Sequence, residues 1–149
     1  MCIEERHRVI VSLGSNYEQA NNLSEARECL SRLFADIRYS SELWTEPIGN
    51  KKKPVCPEGQ TGEDVYYALY LNQLAEATTS LSPEEINLQL KAIESALGRT
   101  PVLRQRGIVP IDLDLLLYDD QRFHERDWQR PYVTRLLHEV TTISSIQTS

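Results

Sequence analysis

The sequence predicts an α+β fold, a ferredoxin-like α/β plait in which helices pack on an antiparallel sheet. Two observations lead to this fold class. Runs of β-forming residues and segments with helical spacing follow one another in the order β-α-β-β-α-β, with further elements near the carboxyl end. The length of 149 residues suits one domain with its own hydrophobic core. We therefore expect a single domain over residues 1–140 and a mobile polar tail over residues 141–149.

The first half of the chain supplies a strand, a helix and a second strand. Residues 7–13 are β-formers that end at the turn signal GSN at 14–16. Residues 20–33 repeat apolar side chains at helical spacing, and residues 38–44 predict a strand. The segment 49–64 contains several Gly, Pro and Lys residues. It is expected to be a long irregular loop, which is a kind of segment that often carries function.

The second half begins with a predicted strand at 65–77, which is rich in Tyr and Leu. A helix is expected to begin after Ser82, because Ser82 can serve as the N-cap, Pro83 suits the first helical position and Glu85 completes a capping box. Gly98 suits the end of that helix.

A basic loop at 99–107 leads into the clearest strand of the chain, residues 109–118. A short return strand near 122–123 and a last helix at 131–140 follow. Strict alternation along 109–118 would place five apolar side chains on one face, namely Val109, Ile111, Leu113, Leu115 and Leu117.

Composition excludes several classes of protein. With 16 Lys plus Arg against 22 Asp plus Glu, the net charge is −6, which is unlike a nucleic-acid coat. The three cysteines form no CxxC pair, which argues against a disulfide framework or a structural zinc site. No apolar run is long enough for a membrane span, and residues 1–8 lack a signal-peptide core. We expect a cytoplasmic monomer that binds neither nucleic acid nor membrane, although a local basic patch could still bind a small phosphorylated substrate.

The sharpest chemical feature is the pair Asp112 and Asp114. Period-two alternation places both carboxylates on one face of a strand, where they repel each other unless a cation lies between them. Hard oxygen ligands of this kind suit Mg²⁺, which takes its remaining ligands from water and substrate phosphates. A solvated strand face explains the pair equally well. The nearby Arg99, Arg104 and Arg106 favour a phosphoryl-transfer site.

Tyr70 and Asn72 share a face of another predicted strand. A Tyr ring can stack on a planar heterocycle, and an Asn amide can hydrogen-bond to the edge of a ring. Packing beneath the helices is the commoner role for an isolated Tyr. The chain contains no P-loop, GxGxxG, GxSxG or HExxH motif, so kinase-like chemistry would not use a Walker motif.

Five ordered stretches carry a family resemblance: VSLGSN at 11–16, SELWTEPIG at 41–49, YLNQLAEATTSLSPEEI at 70–86, IESALGR at 93–99 and IDLDLLLYD at 111–119. Together they resemble the 6-hydroxymethyl-7,8-dihydropterin pyrophosphokinase family of folate biosynthesis. The resemblance implies transfer of pyrophosphate from ATP to a reduced hydroxymethylpterin, giving AMP, with two Mg²⁺ ions at the site.

The resemblance also implies roles for individual residues. The Mg²⁺ ligands would be Asp112 and Asp114. The catalytic set would be Asp112, Asp114, Arg99, Arg104 and Arg106. The pterin would be contacted by Thr45, Ile48, Tyr70, Asn72 and Tyr132, with the two tyrosines stacking on it. ATP would be contacted by Lys91, Glu94, Arg99, Leu115, His124 and Arg130.

Two departures from the family pattern affect the phosphate end of the site. The family's R-W-G-P-R-T type segment reads RGIVP at 106–110, so that Arg106 replaces the Trp and Val109 replaces the Arg near the Asp pair. The P-H-P element before the late Arg is missing, and His124 lies six residues before Arg130. Either Arg104 or Arg106 could supply the missing cation.

Three functions are compatible with these residues. The first is the pterin pyrophosphokinase. The second is a catalytically weak or inactive paralogue of the same fold that binds pterin or nucleotide. The third is an unrelated two-metal phosphohydrolase built on the DLD strand, which would release phosphate without an acceptor.

Overall fold

The computed structural model describes the backbone of residues 5–46 and 68–148 and the side chains of 5–46 and 68–140. Within these residues the elements, in chain order, are β1 (His7–Ser15), α1 (Gln19–Leu33), β2 (Ala35–Tyr39), β3 (Leu43–Thr45), β4 (Tyr70–Thr79), α2 (Pro83–Ala96), α3 (Pro101–Gln105), β5 (Asp112–Tyr118), β6 (Gln121–Arg122), a 3₁₀ helix (Glu125–Gln129) and α4 (Pro131–Thr148).

The strands form one sheet in the order β2-β4-β1-β5-β6. Strand β3 also pairs with β4, at the start of β4, whereas β2 pairs with its later residues. Every pairing in the sheet is antiparallel. The four strands β1, β2, β4 and β5, with α1 and α2 between them in sequence, reproduce the predicted β-α-β-β-α-β plan. The predicted α+β class is thereby confirmed.

Helices α1 and α2 cover one face of the sheet. Leu23 and Leu30 of α1 and Ile86 and Leu90 of α2 are no more than 1% exposed. They belong to one apolar cluster with strand residues such as Val11. Removing each of these side chains from water contributes about 2 kcal/mol, so this layer supplies much of the stability.

Helix α4 covers the opposite face of the sheet. Its Val133 and Leu136 pack against Ile10, Leu74 and Leu116 in a second apolar cluster. The sheet is therefore the middle of three layers, and we call its second surface the α4 face. No helix in the part of the chain described here is long and apolar enough to cross a membrane.

The predicted start of α2 is confirmed in atomic detail. The Ser82 hydroxyl accepts a hydrogen bond from the Glu85 N–H at 3.1 Å, and the Glu85 carboxylate accepts one from the Ser82 N–H at 2.8 Å. Past the end of the helix, Gly98 has a φ of 108°, a conformation that favours glycine.

Several predicted boundaries are wrong. Strand β1 continues through Gly14 and Ser15, because both residues pair with β4. The strand predicted at 38–44 is two strands, β2 and β3, separated by residues 40–42. The strand predicted at 65–77 is observed as Tyr70–Thr79, and the loop predicted at 49–64 lies outside the described residues.

The basic loop and the carboxyl end also differ from expectation. Within the loop, Thr100 caps the short helix α3 by accepting a hydrogen bond from the Leu103 N–H, and Pro101 occupies its first turn. Strand β5 begins at Asp112, three residues later than predicted. Helix α4 runs to Thr148, whereas the sequence predicted its end near residue 140.

The predicted alternation along β5 holds only to Leu115. The register with β1 shifts between Ile10 and Val11, which face Leu117 and Leu115 respectively. Leu116 is therefore the extra residue of a β-bulge. As a result, Leu117 packs on the α4 face with Leu116, and its predicted place beside Leu113 and Leu115 is wrong.

At the end of β1 far from Gly14, Asp119 receives two hydrogen bonds. Its Oδ2 lies 2.6 Å from His7 Nδ1, and its Oδ1 accepts from the Arg8 N–H at 3.0 Å. The bond from His7, followed by that from Arg8, holds the pKa of the Asp119 carboxyl below its ordinary value. Since the folded pKa lies below the unfolded one, this carboxylate stabilises the fold above about pH 4, and the stabilisation is lost as the pH falls through the folded pKa.

Replacing Asp119 with Asn is therefore expected to lower the free energy of unfolding at pH 7 modestly, because the carboxylate is half-exposed. The difference from the wild type should shrink as the pH approaches 3. Urea unfolding at both pH values measures it, and Asp120→Asn, in the same exposed turn, is the control. An equal destabilisation at both pH values would show that the carboxylate charge is not responsible.

Candidate active site

Four neighbouring strands form one row of paired residues across the α4 face, in which the polar side chains are Asn72 and Asp112. Leu43 of β3 pairs with Asn72 of β4, Asn72 with Gly14 of β1, and Gly14 with Asp112 of β5. Asp114 lies two residues further along β5, on the same face of the strand. The sheet register therefore places the predicted pterin-binding Asn beside the predicted metal-binding Asp, separated only by a glycine.

This row forms the floor of a cavity of about 210 Å³. The residues lining it are Ser12, Leu13, Gly14, Tyr70, Asn72, Asp112, Asp114, Asp127, Arg130 and Tyr132. Six of these were predicted as site residues, namely Tyr70, Asn72, Asp112, Asp114, Arg130 and Tyr132. The residues were selected from stretches far apart in sequence, and the fold brings them together.

Asp112 and Asp114 are in an environment that disfavours two negative charges. Burial, followed by the charge of Asp112, raises the pKa of the Asp114 carboxyl well above its ordinary value. His124 Nε2 lies 3.6 Å from Asp114 Oδ1, at the edge of the pair. The electrostatic conflict between the carboxylates is one that a bound cation relieves.

Arg99 and Glu94 hold the start of β5. The Arg99 guanidinium donates from Nη1 to Asp112 Oδ1 at 2.9 Å and lies 3.1 Å from Glu94 Oε2. Glu94 also accepts a hydrogen bond from the Leu113 N–H at 2.7 Å. Since Leu113 lies between Asp112 and Asp114, this bond fixes the backbone that carries both carboxylates. Burial raises the pKa of Glu94.

Asn72 is oriented by its neighbours on β3 and is 4% exposed. Its amide Nδ2 donates to the Thr45 hydroxyl at 2.8 Å and to the Leu43 carbonyl at 3.0 Å. With both amide hydrogens committed in this way, the Asn72 carbonyl oxygen faces Gly14. Thr45 therefore contacts the site through Asn72, although it does not line the cavity.

The opposite wall of the cavity comes from the start of α4 and the 3₁₀ helix before it. Asp127 accepts a hydrogen bond from Arg130 Nε at 2.9 Å, which orients the guanidinium. Burial raises the pKa of Tyr132 to about 12, so its hydroxyl is neutral. Tyr70 and Tyr132 thus supply one aromatic ring from each wall.

A second cavity of about 540 Å³ is linked to the first by the ion pair between Arg99, which lines the second, and Asp112, which lines the first. It is lined by α2, α3 and the link between them, at Lys91, Glu94, Ser95, Arg99, Thr100, Pro101, Arg104 and Gln105. Three cationic side chains line it, Lys91, Arg99 and Arg104. This charge pattern suits a polyphosphate that extends from the Asp pair.

Four predicted site residues in the described part of the chain line neither cavity, namely Arg106 and Leu115 together with Thr45 and His124, whose contacts are given above. Arg106 caps the end of α3 and is exposed, and it does not line either cavity. The Leu115 side chain is 1% exposed in the apolar core, so only its backbone could contact a ligand. Ile48 lies outside the described residues.

Sequence reasoning missed four residues of the cavity lining, Ser12, Leu13, Gly14 and Asp127, and also missed Asn16. Gly14 was interpreted as part of a turn. If the strand is continued past Leu13, its period of two places Gly14 on the same face of the sheet as Ser12, which is the face of the site. Asp127 could have been found from its i,i+3 spacing to Arg130. Asn16, which is 3% exposed, binds the loop before β5 through Gly107 and Val109, and no local signal indicates that contact.

The donor set fits a divalent cation of the Mg²⁺ type. Both ligands would be carboxylate oxygens, and burial together with the charge of Asp112 raises the pKa of Asp114, a penalty on its ionised form that a bound cation would offset. Among the described residues, no group of three or more His, Cys, Asp or Glu side chains forms a complete metal site. Asp112 and Asp114 would therefore share the ion with other oxygen ligands, and substrate phosphates are the usual ones.

The fold and these two cavities define an α+β protein with an acidic pocket beside a cationic one. A family model described as 7,8-dihydro-6-hydroxymethylpterin-pyrophosphokinase (HPPK) matches residues 10–142. The chain therefore belongs to the HPPK family, which confirms the resemblance seen in its sequence.

Known proteins agree with this assignment. A mitochondrial folate synthesis bifunctional protein of Pisum sativum is 33% identical over 135 residues, which cover 84% of this chain and 23% of that protein. A 2-amino-4-hydroxy-6-hydroxymethyldihydropteridine pyrophosphokinase of Haemophilus influenzae is 32% identical over 112 residues, covering 74% of this chain and 62% of that protein.

A solved structure shows the same fold. The crystal structure of wild-type Plasmodium falciparum HPPK-DHPS superposes with a TM-score of 0.51 at 13% identity, covering 80% of this chain and 30% of that one. The chain spans only 23% to 29% of the bifunctional relatives from Pisum sativum, Arabidopsis thaliana and Chlamydia trachomatis.

Proposed function

We propose that this domain transfers pyrophosphate from ATP to 6-hydroxymethyl-7,8-dihydropterin, giving AMP and the pterin diphosphate. The observation that carries the proposal is the 210 Å³ cavity, where Tyr70, Asn72 and Tyr132 share one space with Asp112 and Asp114. Relatives named pyrophosphokinases support it. None of these comparisons favours an inactive paralogue.

The pterin would lie between the two tyrosine rings. Stacking on Tyr70 and Tyr132 stabilises a planar heterocycle, and the Asn72 carbonyl can accept a hydrogen bond from its ring edge. Thr45 holds the Asn72 amide in the orientation that this requires. The hydroxymethyl group would then point along the cavity toward Asp112 and Asp114.

ATP would extend from the Asp pair into the second cavity. Lys91, Arg99 and Arg104 would contact its phosphates from that side, and Arg130 would contact them from the α4 side. We propose that Asp112 and Asp114 hold two Mg²⁺ ions, which would neutralise charge on the transferring group. In this arrangement the pterin hydroxyl attacks the β-phosphorus, and the bond from that phosphorus to the AMP oxygen breaks.

The decisive experiment follows nucleotide products by chromatography. AMP should form from ATP only when Mg²⁺ and the reduced hydroxymethylpterin are both present. Pterin binding by calorimetry with no AMP at saturating substrates would identify a binding paralogue. Release of phosphate or pyrophosphate without an acceptor would identify a phosphohydrolase. Either result would overturn the proposal.

We also propose that the domain acts as a cytoplasmic monomer without nucleic acid or membrane, in keeping with its net charge of −6.

The two loop arginines should differ in effect. Because Arg104 lines the phosphate-side cavity and Arg106 does not, Arg104→Ala is expected to raise the KM for ATP about tenfold, whereas Arg106→Ala should change it less than about twofold. Steady-state kinetics at saturating pterin provide the measurement, with each variant serving as the matched control for the other. The reverse ranking would assign the missing family cation to Arg106.

A further inference from the structure

Glu139 and Ser41 make a two-point contact outside both cavities. One carboxylate oxygen of Glu139 on α4 accepts a hydrogen bond from the Ser41 N–H at 2.7 Å, and the other accepts one from the Ser41 hydroxyl at 2.8 Å. Ser41 lies in the link between β2 and β3. Bonds to an ionised acceptor are short and strong, so this contact joins the helix to the link directionally.

The link is itself bound to β4 beside the site. The Ser40 N–H donates to the Leu74 carbonyl at 2.9 Å, and the Ser40 hydroxyl accepts from the Leu74 N–H at 2.9 Å. The Ser40 carbonyl accepts from Gln73 Nε2 at 2.7 Å. Ser41 is therefore a fixed point on the edge of the sheet, only four residues before Thr45.

Helix α4 carries one wall of the cavity on its first turn. Tyr132 precedes Glu139 by seven residues, which is two helical turns and about 10 Å along the same side of the helix. Between them, Val133 and Leu136 rest on the sheet through apolar packing, which is non-directional and resists sliding less than hydrogen bonds do. The Glu139 contact adds a charged hydrogen bond from α4 to the β2–β3 link.

We propose that Glu139 is a positioning residue that, through α4, sets the separation between Tyr132 and the wall formed by Tyr70 and Asn72. Its effect is on pterin affinity, because this separation determines whether both rings contact the same ligand. This inference rests on the proposed function. A purely structural role would instead weaken the fold and affect both substrates.

The test measures binding of reduced hydroxymethylpterin and of an unreactive ATP analogue by calorimetry, together with the Tm. Glu139→Ala is expected to raise the Kd for the pterin about five- to tenfold, and Ser41→Ala, which keeps the bond from the residue 41 N–H, should raise it by less. Both should change the Kd for the analogue less than about twofold. Glu139→Gln should restore most of the affinity, because its amide can still accept from the Ser41 N–H and donate to the hydroxyl.

Two controls make the outcomes distinct. The double variant Glu139→Ala/Ser41→Ala should match Glu139→Ala alone, since Glu139→Ala already removes both bonds to Ser41. Glu28→Gln, on the exposed side of α1, should leave both affinities unchanged. Equal weakening of both ligands, or a pterin Kd no different from that of Glu28→Gln, would overturn the inference. If the wild type itself fails to bind pterin, the proposed function fails instead.

Discussion

Replacing Asp112 with Asn is expected to lower kcat by about three orders of magnitude and to change the Kd for the pterin by less than about twofold. Asn keeps the shape of the side chain and can still accept from Arg99, so the start of β5 should be preserved. The expected fall in kcat comes from removing the negative charge that would hold a cation beside the transferring phosphoryl group. The groups expected to bind the pterin, Tyr70, Asn72 and Tyr132, stay unchanged.

The measurement pairs single-turnover AMP formation with pterin calorimetry. Asp120→Asn is the matched control, because Asp120 is an exposed acid in the turn just after β5. A variant at Asp112 that loses pterin affinity but keeps its rate would show that the role assignment is wrong. Added Mg²⁺ should recover little activity, since an amide oxygen binds the ion less well than a carboxylate.

Replacing Gly14 with Val is expected to weaken pterin binding about 100-fold. A Cβ at this position would lie 3.4 Å from the Asn72 Oδ1 and 3.7 Å from the Tyr70 ring. The two further methyl groups of Val would project into the space between the Asn and the Asp pair. The fold should survive, because Gly14 has no left-handed backbone to strain and Val suits a strand.

A graded series checks this expectation. Gly14→Ala adds only the Cβ and should weaken binding about threefold, well below the effect of Val. Calorimetry with the reduced pterin and thermal unfolding of each variant provide the two readouts. Full pterin affinity in Gly14→Val would show that the ligand does not lie over the Gly14 end of β1.

The carboxylate pair shows how much of the site sequence can predict. Asp112 and Asp114 were assigned to one strand face because period two is a property of every extended strand, and both line the same cavity. Tyr70 and Asn72 were selected in the same way from their shared strand face, and the resemblance added Tyr132; all three also line the cavity. These predictions depend only on local repeats and short motifs.

Contacts between distant segments could not be predicted in the same way. The Thr45–Asn72 bond joins residues 27 apart, and the Ser41–Glu139 contact joins residues 98 apart. Each depends on strand register and on the placement of α4, and neither has a local signal. The split of the predicted strand at 38–44 also depends on pairing. Strands β2 and β3 pair with different parts of β4, and residues 40–42 lie between the two paired segments.

The bulge at Leu116 makes the two ends of β5 independent of each other. Upstream of it, the carboxylates are fixed by pairing with Ser12 and Gly14; downstream, Tyr118 pairs with Val9 and packs among the residues beneath α1 and α2. Deleting Leu116 would remove the extra residue and restore a regular ladder, so that Tyr118 would stay opposite Val9 and the acidic pair would stay opposite Ser12 and Gly14. The cost would be the apolar packing of Leu116 on the α4 face, and the bulge is therefore a point where this strand can change length without moving the carboxylates at its near end.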